Sequence, residues 1–120
     1  MTDINDHSLP LPCPAAGTLV ARSSNAPWQE SDDPDFLMKS LYEDLDKGDR
    51  TWLMKVEPGA YSPPHAHEGE TEQIFVLEGS FHDDENTYHA GDFAVRAAGA
   101  IHSAGSKDGA LVMLVYSRAE

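Results

Sequence analysis

Three histidines and one glutamate are spaced in this chain in a way that suits a metal ion. His65 and His67 are two residues apart, Glu72 follows five residues later, and His102 lies thirty residues beyond Glu72. Residues i and i+2 of a strand project from the same face, so two imidazole nitrogens can reach one point about 2.0–2.2 Å away. Glu72 would return on the next strand, and His102 would complete the set if the sheet closes. Three neutral nitrogens and one carboxylate oxygen suit a borderline divalent cation.

The elements that must position these side chains are predicted to be β-strands. Runs of β-branched, aromatic and aliphatic residues alternate with Gly, Pro, Asp and Ser, which is typical of an all-β barrel, and no amphipathic helical pattern persists. A hairpin turn is predicted at Asp83-Asp84-Glu85-Asn86, where Asx side chains bond their own backbone. The predicted strands are 18–22, 36–43, 50–57, 72–78, a short pair within 80–90, 92–96, 101–104 and 110–117.

Side-chain alternation indicates which faces of these strands are buried. In the strand 50–57, Trp52, Met54 and Val56 share one face and Lys55 lies on the other. The apolar face should point into the barrel, so Trp52 and Met54 are predicted to line a pocket.

The segments 74–77 and 111–116 are apolar at both parities, so neither face of these strands is expected to meet water. One face would fill the barrel, and the other would pack on a second sheet or on a partner subunit. The sequence alone does not choose between these two.

Length and charge limit the remaining possibilities. The chain has 120 residues, enough for one domain, with 21 acidic against 8 basic residues and a net charge of −13 that repels nucleic-acid phosphate and anionic lipid. We therefore expect neither nucleic acid nor membrane as a partner.

Residues 1–14 contain three prolines and are predicted to form a flexible N-terminal arm before a single domain at 15–120. Cys13 is the one cysteine, no secretory signal is visible, and a cytoplasmic protein is expected.

The residues from Gly59 to His102 resemble the two motifs of the cupin superfamily. The first motif, G-x5-H-x-H-x4-E-x6-G, is met at every fixed position, from Gly59 through the three candidate ligands to Gly79. The second, G-x5-P-x-G-x2-H-x3-N, is met at Gly91, Gly99 and His102, and it departs at Ala97 and Ser106. The resemblance implies a double-stranded β-helix, or jelly-roll barrel, with one divalent metal ion at His65, His67, Glu72 and His102. Fe(II) or Zn is expected, with Mn and Ni also open. Cupins commonly dimerise, and the strands that are apolar on both faces agree with this, so a homodimer is expected as well.

The amino-acid sequence between the motif positions is similar to that of ChrR-like cupins. The segments Pro64-His65-Ala66-His67, Phe75-Val76-Leu77-Glu78-Gly79 and Tyr88-His89-Ala90-Gly91-Asp92 carry this likeness. Relatives in this group include the C-terminal domain of the ChrR anti-sigma factor and the acetylacetone and dihydroxyacetophenone dioxygenases. The helical zinc domain through which ChrR holds its sigma factor has no counterpart in these residues, so sigma-factor inhibition is not expected.

The resemblance leaves the function open between two classes. One is a non-haem metal-dependent dioxygenase acting on a small oxygenated molecule such as a diketone or hydroxyaryl ketone. The other is a metal-dependent module that binds or senses a small ligand without turning it over. A metal-free sugar isomerase or epimerase ranks third, because the full ligand set is present. No residue is assigned a catalytic role, and His82 and His89, beside turn signals, are expected to be surface residues.

Overall fold

The computed structural model describes residues 8–119, and the expected all-β fold is confirmed. One short 3₁₀ turn, Ser23–Asn25, precedes the sheet. No helix among these residues is long and apolar enough to cross a membrane. The strands are β1 Gln29–Glu30, β2 Phe36–Asp44, β3 Asp49–Val56, β4 Tyr61–His65, β5 Glu70–His82, β6 Thr87–His89, β7 Phe93–Arg96, β8 His102–Gly105 and β9 Ala110–Arg118.

One antiparallel sheet curls on itself to form the jelly-roll barrel. Its strand order is β1-β2-β3-β9-β5-β8-β4, with β6 and β7 also paired to β5. β5 spans 13 residues and changes neighbours along its length. Its first part pairs with β7 and β9, and its last three residues pair with β6. One strand therefore runs through both layers of the barrel.

The core consists of inward-facing side chains from the central strands. In β3, Met54 and Val56 are buried on the face that the apolar alternation predicted. In β5 and β9, which were expected to be covered on both faces, alternate residues of the middle of each strand are buried. Burying each such side chain stabilises the fold by roughly 1.5–3 kcal/mol. The members of this core include Met54, Val56, Ile74, Val76, Val112 and Leu114.

Two motif positions, Gly79 and Ser106, shape the turn around Gly109. Gly79 has a φ of 77°, and a Cβ there would collide with the carbonyl oxygen of Gly109, so only glycine fits. Ser106 stands where the cupin motif has asparagine, and it is 1% exposed. Its hydroxyl donates to the Ser80 carbonyl at 2.6 Å and accepts the Gly109 N–H at 2.8 Å. The serine thus ties the same turn down with two hydrogen bonds.

The N-terminal region differs from the prediction. The strand predicted at 18–22 is wrong, since these residues form no strand and the chain turns at Ser23–Asn25 instead. The turn is closed by hydrogen bonds from the Asn25 and Ala26 N–H groups to the carbonyls of Arg22 and Ser23. Within the predicted arm, Leu11 pairs with Tyr42 of β2, and residues 1–7 lie outside the described residues.

Candidate metal centre

The three histidines reach the site from two strands and one connection. His65 ends β4 and His102 begins β8, and these two residues face each other across the β4–β8 ladder. β4 contains Pro63 and Pro64, which cannot donate ladder hydrogen bonds and which an edge strand with a bulge can accommodate. The expectation that His65 and His67 share one strand is wrong, because His67 lies in the connection to β5.

The ring nitrogens nonetheless converge. One ligand atom from each of His65, His67 and His102 lies within 4.8 Å of the others, and this group could hold a metal ion. The Nδ1 atoms of His65 and His102 lie 3.0 and 3.2 Å from the carbonyls of Pro63 and Ala100. A carbonyl oxygen only accepts, so each Nδ1 carries the hydrogen and each Nε2 presents a lone pair. This is the tautomer that a metal bound at Nε2 requires.

Glu72 lies beside this cluster, in the first part of β5. Its carboxylate is 6% exposed, with Oε2 3.6 Å from the Nε2 of His67 and Oε1 3.7 Å from the Nε2 of His102. Carboxylate oxygens and unprotonated imidazole nitrogens are all electron-pair donors, so a proton or a metal ion between them is stabilising at this spacing. His65, His67 and His102 form the group that could hold a metal ion, and Glu72 lies against two of them.

Two further side chains hold the Glu72 carboxylate. The Nε of Arg96 donates to Oε1 at 3.1 Å, and the Tyr116 hydroxyl donates to Oε2 at 2.6 Å. Burial, followed by the neighbouring Glu72 charge, holds the pKa of Tyr116 far above its usual range, so this hydroxyl remains a donor. Burial also lowers the pKa of His102, with the Arg96 charge acting in the same direction. His102 is therefore neutral at physiological pH and available to a metal.

The site lines a cavity of about 360 Å³, whose polar lining also includes Ser31, Asp32 and Asp33. Trp52 and Met54, predicted as pocket lining from strand parity, both line this cavity. The histidine nearest the solvent is His65, which is exposed, whereas His102 is buried. The apolar part of the wall comprises Phe36, Met38, Ile74, Phe81, Ala104 and Leu114. This combination of apolar walls and a few convergent polar groups is typical of small-molecule sites.

The chain matches the model of the ChrR cupin-like domain over residues 16–119. It belongs to that family. Among curated proteins, none matches this cupin significantly.

Solved structures similar to this cupin include a predicted oxalate decarboxylase from Thermotoga maritima, with 26% identity and a TM-score of 0.71 over 83% of this chain and 99% of that one. KdgF from a Halomonas species has 22% identity and a TM-score of 0.69, over 81% and 92% of the two chains. The Rhodobacter sphaeroides complex of SigE with the anti-sigma ChrR contains a chain with 22% identity and a TM-score of 0.66. This match covers 80% of the cupin and 51% of that chain.

Sequence reasoning missed the residues that surround Glu72 in this cupin. Tyr116 shares the inward parity of Val112 and Leu114 on β9, and Arg96 has the parity opposite to the exposed Phe93 and Val95 on β7. A tyrosine and an arginine on inward faces of apolar strands are unusual, because buried polar groups need partners. The inward position of these two polar residues was the sequence signal that could have indicated a buried polar site.

Proposed function

We propose that this cupin binds one divalent ion, Fe(II) or Zn, through His65, His67, His102 and Glu72, and that the iron form is a dioxygenase. Mn and Ni are further candidates for the ion. Its substrate would be a small oxygenated organic molecule, such as a diketone or a hydroxyaryl ketone. The observation that carries the proposal is the convergence of three imidazole rings, with one carboxylate beside them, in a cavity whose other walls are mostly apolar.

Four protein ligands would leave two neighbouring positions of an octahedral ion open, enough for a chelating ketone or for substrate and dioxygen. A redox-capable ion bound there would supply a Lewis acid and the electron transfer that oxygen chemistry needs. The chain supplies the surroundings. Phe36, Ile74 and Leu114 exclude water and pack against the apolar body of the substrate. Exposed His65 marks the side from which a ligand enters.

Oxygen uptake tests the dioxygenase directly. Protein loaded anaerobically with Fe(II) is mixed with oxygenated buffer and each member of a panel of diketones and hydroxyaryl ketones. We expect uptake in proportion to the ketone added, with none from zinc-loaded protein or from the His102→Ala variant. A folded, iron-loaded sample that consumes no oxygen with any member of the panel would contradict the enzyme.

The second candidate is a metal-dependent binding or sensing module. It is favoured by membership of the ChrR cupin-like family and by the structural likeness to a chain of the SigE–ChrR complex. In this case the ion is inert, as zinc commonly is, and a ligand in the cavity changes the barrel surface. Calorimetric binding of a ketone to the zinc form, without oxygen uptake by the iron form, would be the expected result.

We propose a homodimer formed through the outer face of the sheet. One cross-strand row there comprises Leu53, Met113, Phe75 and Phe93, and the adjacent row comprises Thr51, Val115, Gln73 and Val95. From β3 to β7 neither row contains a charged residue, although the chain has a net charge of −13. On β2 the first row continues at Lys39, which is 7% exposed. Phe93 and Val95 are 58% and 62% exposed, which is costly for apolar side chains without a partner.

Light scattering after gel filtration tests the dimer. The Phe93→Asp variant should elute as a monomer, because each copy would have to bury an unpaired charge in an apolar contact. The matched control is Leu45→Asp, since Leu45 is 74% exposed in the β2–β3 turn, away from these rows. A monomeric native protein would exclude the proposed contact.

A further inference from the structure

The Glu72 side chain is held by a chain of contacts that leads away from the candidate metal centre. A glutamate has three rotatable side-chain bonds, and ordering it costs of order 1 kcal/mol or more. In the β5–β7 ladder, Arg96 lies directly opposite Glu72. Its guanidinium donates through Nε to Glu72 at 3.1 Å and through Nη1 to Asp83 at 2.9 Å. Because a guanidinium is planar and rigid, fixing one edge fixes the other.

The Asp83 side chain is itself held firmly enough to fix the Arg96 guanidinium. It begins the β5–β6 hairpin, and its side chain is 6% exposed. Oδ1 accepts the N–H groups of Glu85 and Asn86 at 2.9 and 2.8 Å, as the predicted Asx turn requires. Oδ2 accepts the Tyr88 hydroxyl at 2.8 Å in addition to Arg96. Although burial opposes ionisation, these hydrogen bonds hold the pKa of Asp83 well below its usual range.

The Arg96 guanidinium uses two of its three nitrogens to join the two carboxylates. Nε and Nη1 make these contacts, and Nη2 is buried without a hydrogen bond to a described residue. Tyr116 donates to Oε2 of Glu72 at 2.6 Å and Arg96 donates to Oε1, so each oxygen of the carboxylate is held by its own donor. What Arg96 adds is a fixed direction for the carboxylate, set from the hairpin.

We propose that Asp83 and Arg96 are a positioning pair for the metal centre: the hairpin carboxylate of Asp83 fixes the Arg96 guanidinium, which holds Glu72 in place beside His67 and His102. The proposal rests on the metal site of the proposed function and is independent of whether that site is catalytic. Neither residue contacts the ion in this arrangement, so both act through Glu72.

The test measures metal affinity and the metal's spectrum, not turnover. In Asp83→Asn, the remaining amide oxygen can still accept the Glu85 and Asn86 N–H groups, but the negative charge facing Arg96 is lost. We expect the Co(II) and Zn(II) affinities, measured against a chromophoric chelator, to fall by about 10-fold or more, as for loss of a residue that orients a ligand. The visible bands of the Co(II) form should shift, because the ligand field at Glu72 changes.

Tyr88→Phe is the matched control, because it removes a hydrogen bond from the same Asp83 oxygen and leaves the Arg96 contacts in place. Its metal affinity should stay within about 3-fold of the native value, below the effect of losing an orienting residue. A double-mutant cycle then separates positioning from general stability. If Asp83 acts through Arg96, Asp83→Asn should have no further effect in an Arg96→Gln background.

The outcomes are distinguishable. Native affinity and spectrum in Asp83→Asn, or losses that multiply in the double variant, would overturn the positioning pair while leaving the metal site intact. Native protein that binds no metal would overturn both this inference and the proposed function. If Asp83→Asn does not fold, Arg96→Lys carries the test, since lysine keeps the charge but cannot join two carboxylates through a rigid plane. It should lose affinity to a similar extent.

Discussion

Replacing His102 with alanine should remove most of the metal binding. His102 is buried at 6% exposure, its Nδ1 is tied to the Ala100 carbonyl, and its Nε2 faces the other donors. Four-ligand zinc sites bind with roughly 10–16 kcal/mol, so each ligand contributes roughly 2.5–4 kcal/mol. Losing one should therefore weaken binding by roughly 100-fold to 1,000-fold.

Thermal unfolding with and without zinc makes this loss visible. At a free metal concentration of about 100 times the native Kd, binding stabilises the native protein by about 2.7 kcal/mol. A variant that binds about 100-fold more weakly gains only about 0.4 kcal/mol at the same concentration. For a domain of this size, these gains correspond to Tm increases of roughly 11 °C and 2 °C.

The matched control is His89→Ala, since His89 is an exposed residue of the β6 strand outside the cluster. It should retain the full zinc-dependent Tm increase. Circular dichroism of the metal-free His102→Ala protein should still show a β-rich spectrum, which separates a lost ligand from a lost fold. If His102→Ala keeps the native Tm increase and His89→Ala loses it, the ligand assignment is wrong.

Two further substitutions test the turn and the cavity. Gly79→Ala, which would bring a Cβ against the Gly109 carbonyl, should lower the free energy of unfolding in urea by more than about 2 kcal/mol. Gly91→Ala, at a φ of 93° with nothing within 4 Å, should cost only about 1 kcal/mol, and equal losses would contradict the collision. Met54→Trp should fill part of the cavity, so zinc affinity should persist while ketone-dependent oxygen uptake falls, and unchanged uptake would place the substrate elsewhere.

The sequence was most informative where chemistry depends on period and spacing. Alternation in β3 put Trp52 and Met54 on one face, because a strand has a side-chain period of two whatever its neighbours are, and both residues line the cavity. The motif spacing brought His65, His67 and His102 into one group, although His67 turned out to lie beyond the strand. The three histidines converge because the barrel closes, and this does not require His67 to lie in the same strand as His65.

Contacts that depend on register could not be predicted. Arg96 meets Glu72 only because β7 pairs with β5 in one particular register, and a shift of one residue would turn Arg96 outward. The contact with Asp83 requires, in addition, that the hairpin fold back toward β7. Local composition shows that an arginine occurs in an apolar strand, but it does not show which carboxylate the arginine will meet.

The two layers of the barrel contribute different parts of the candidate centre. His65 and His102 come from β4 and β8 on one side, while Glu72, Arg96 and Tyr116 come from β5, β7 and β9 on the other. A metal ion would therefore join the two layers at the end where the cavity keeps their side chains apart. The hydrophobic core joins them elsewhere, through packing that needs no metal. For this reason the metal-free barrel should stay folded, and the variants that lose metal can be compared with native protein as folded molecules.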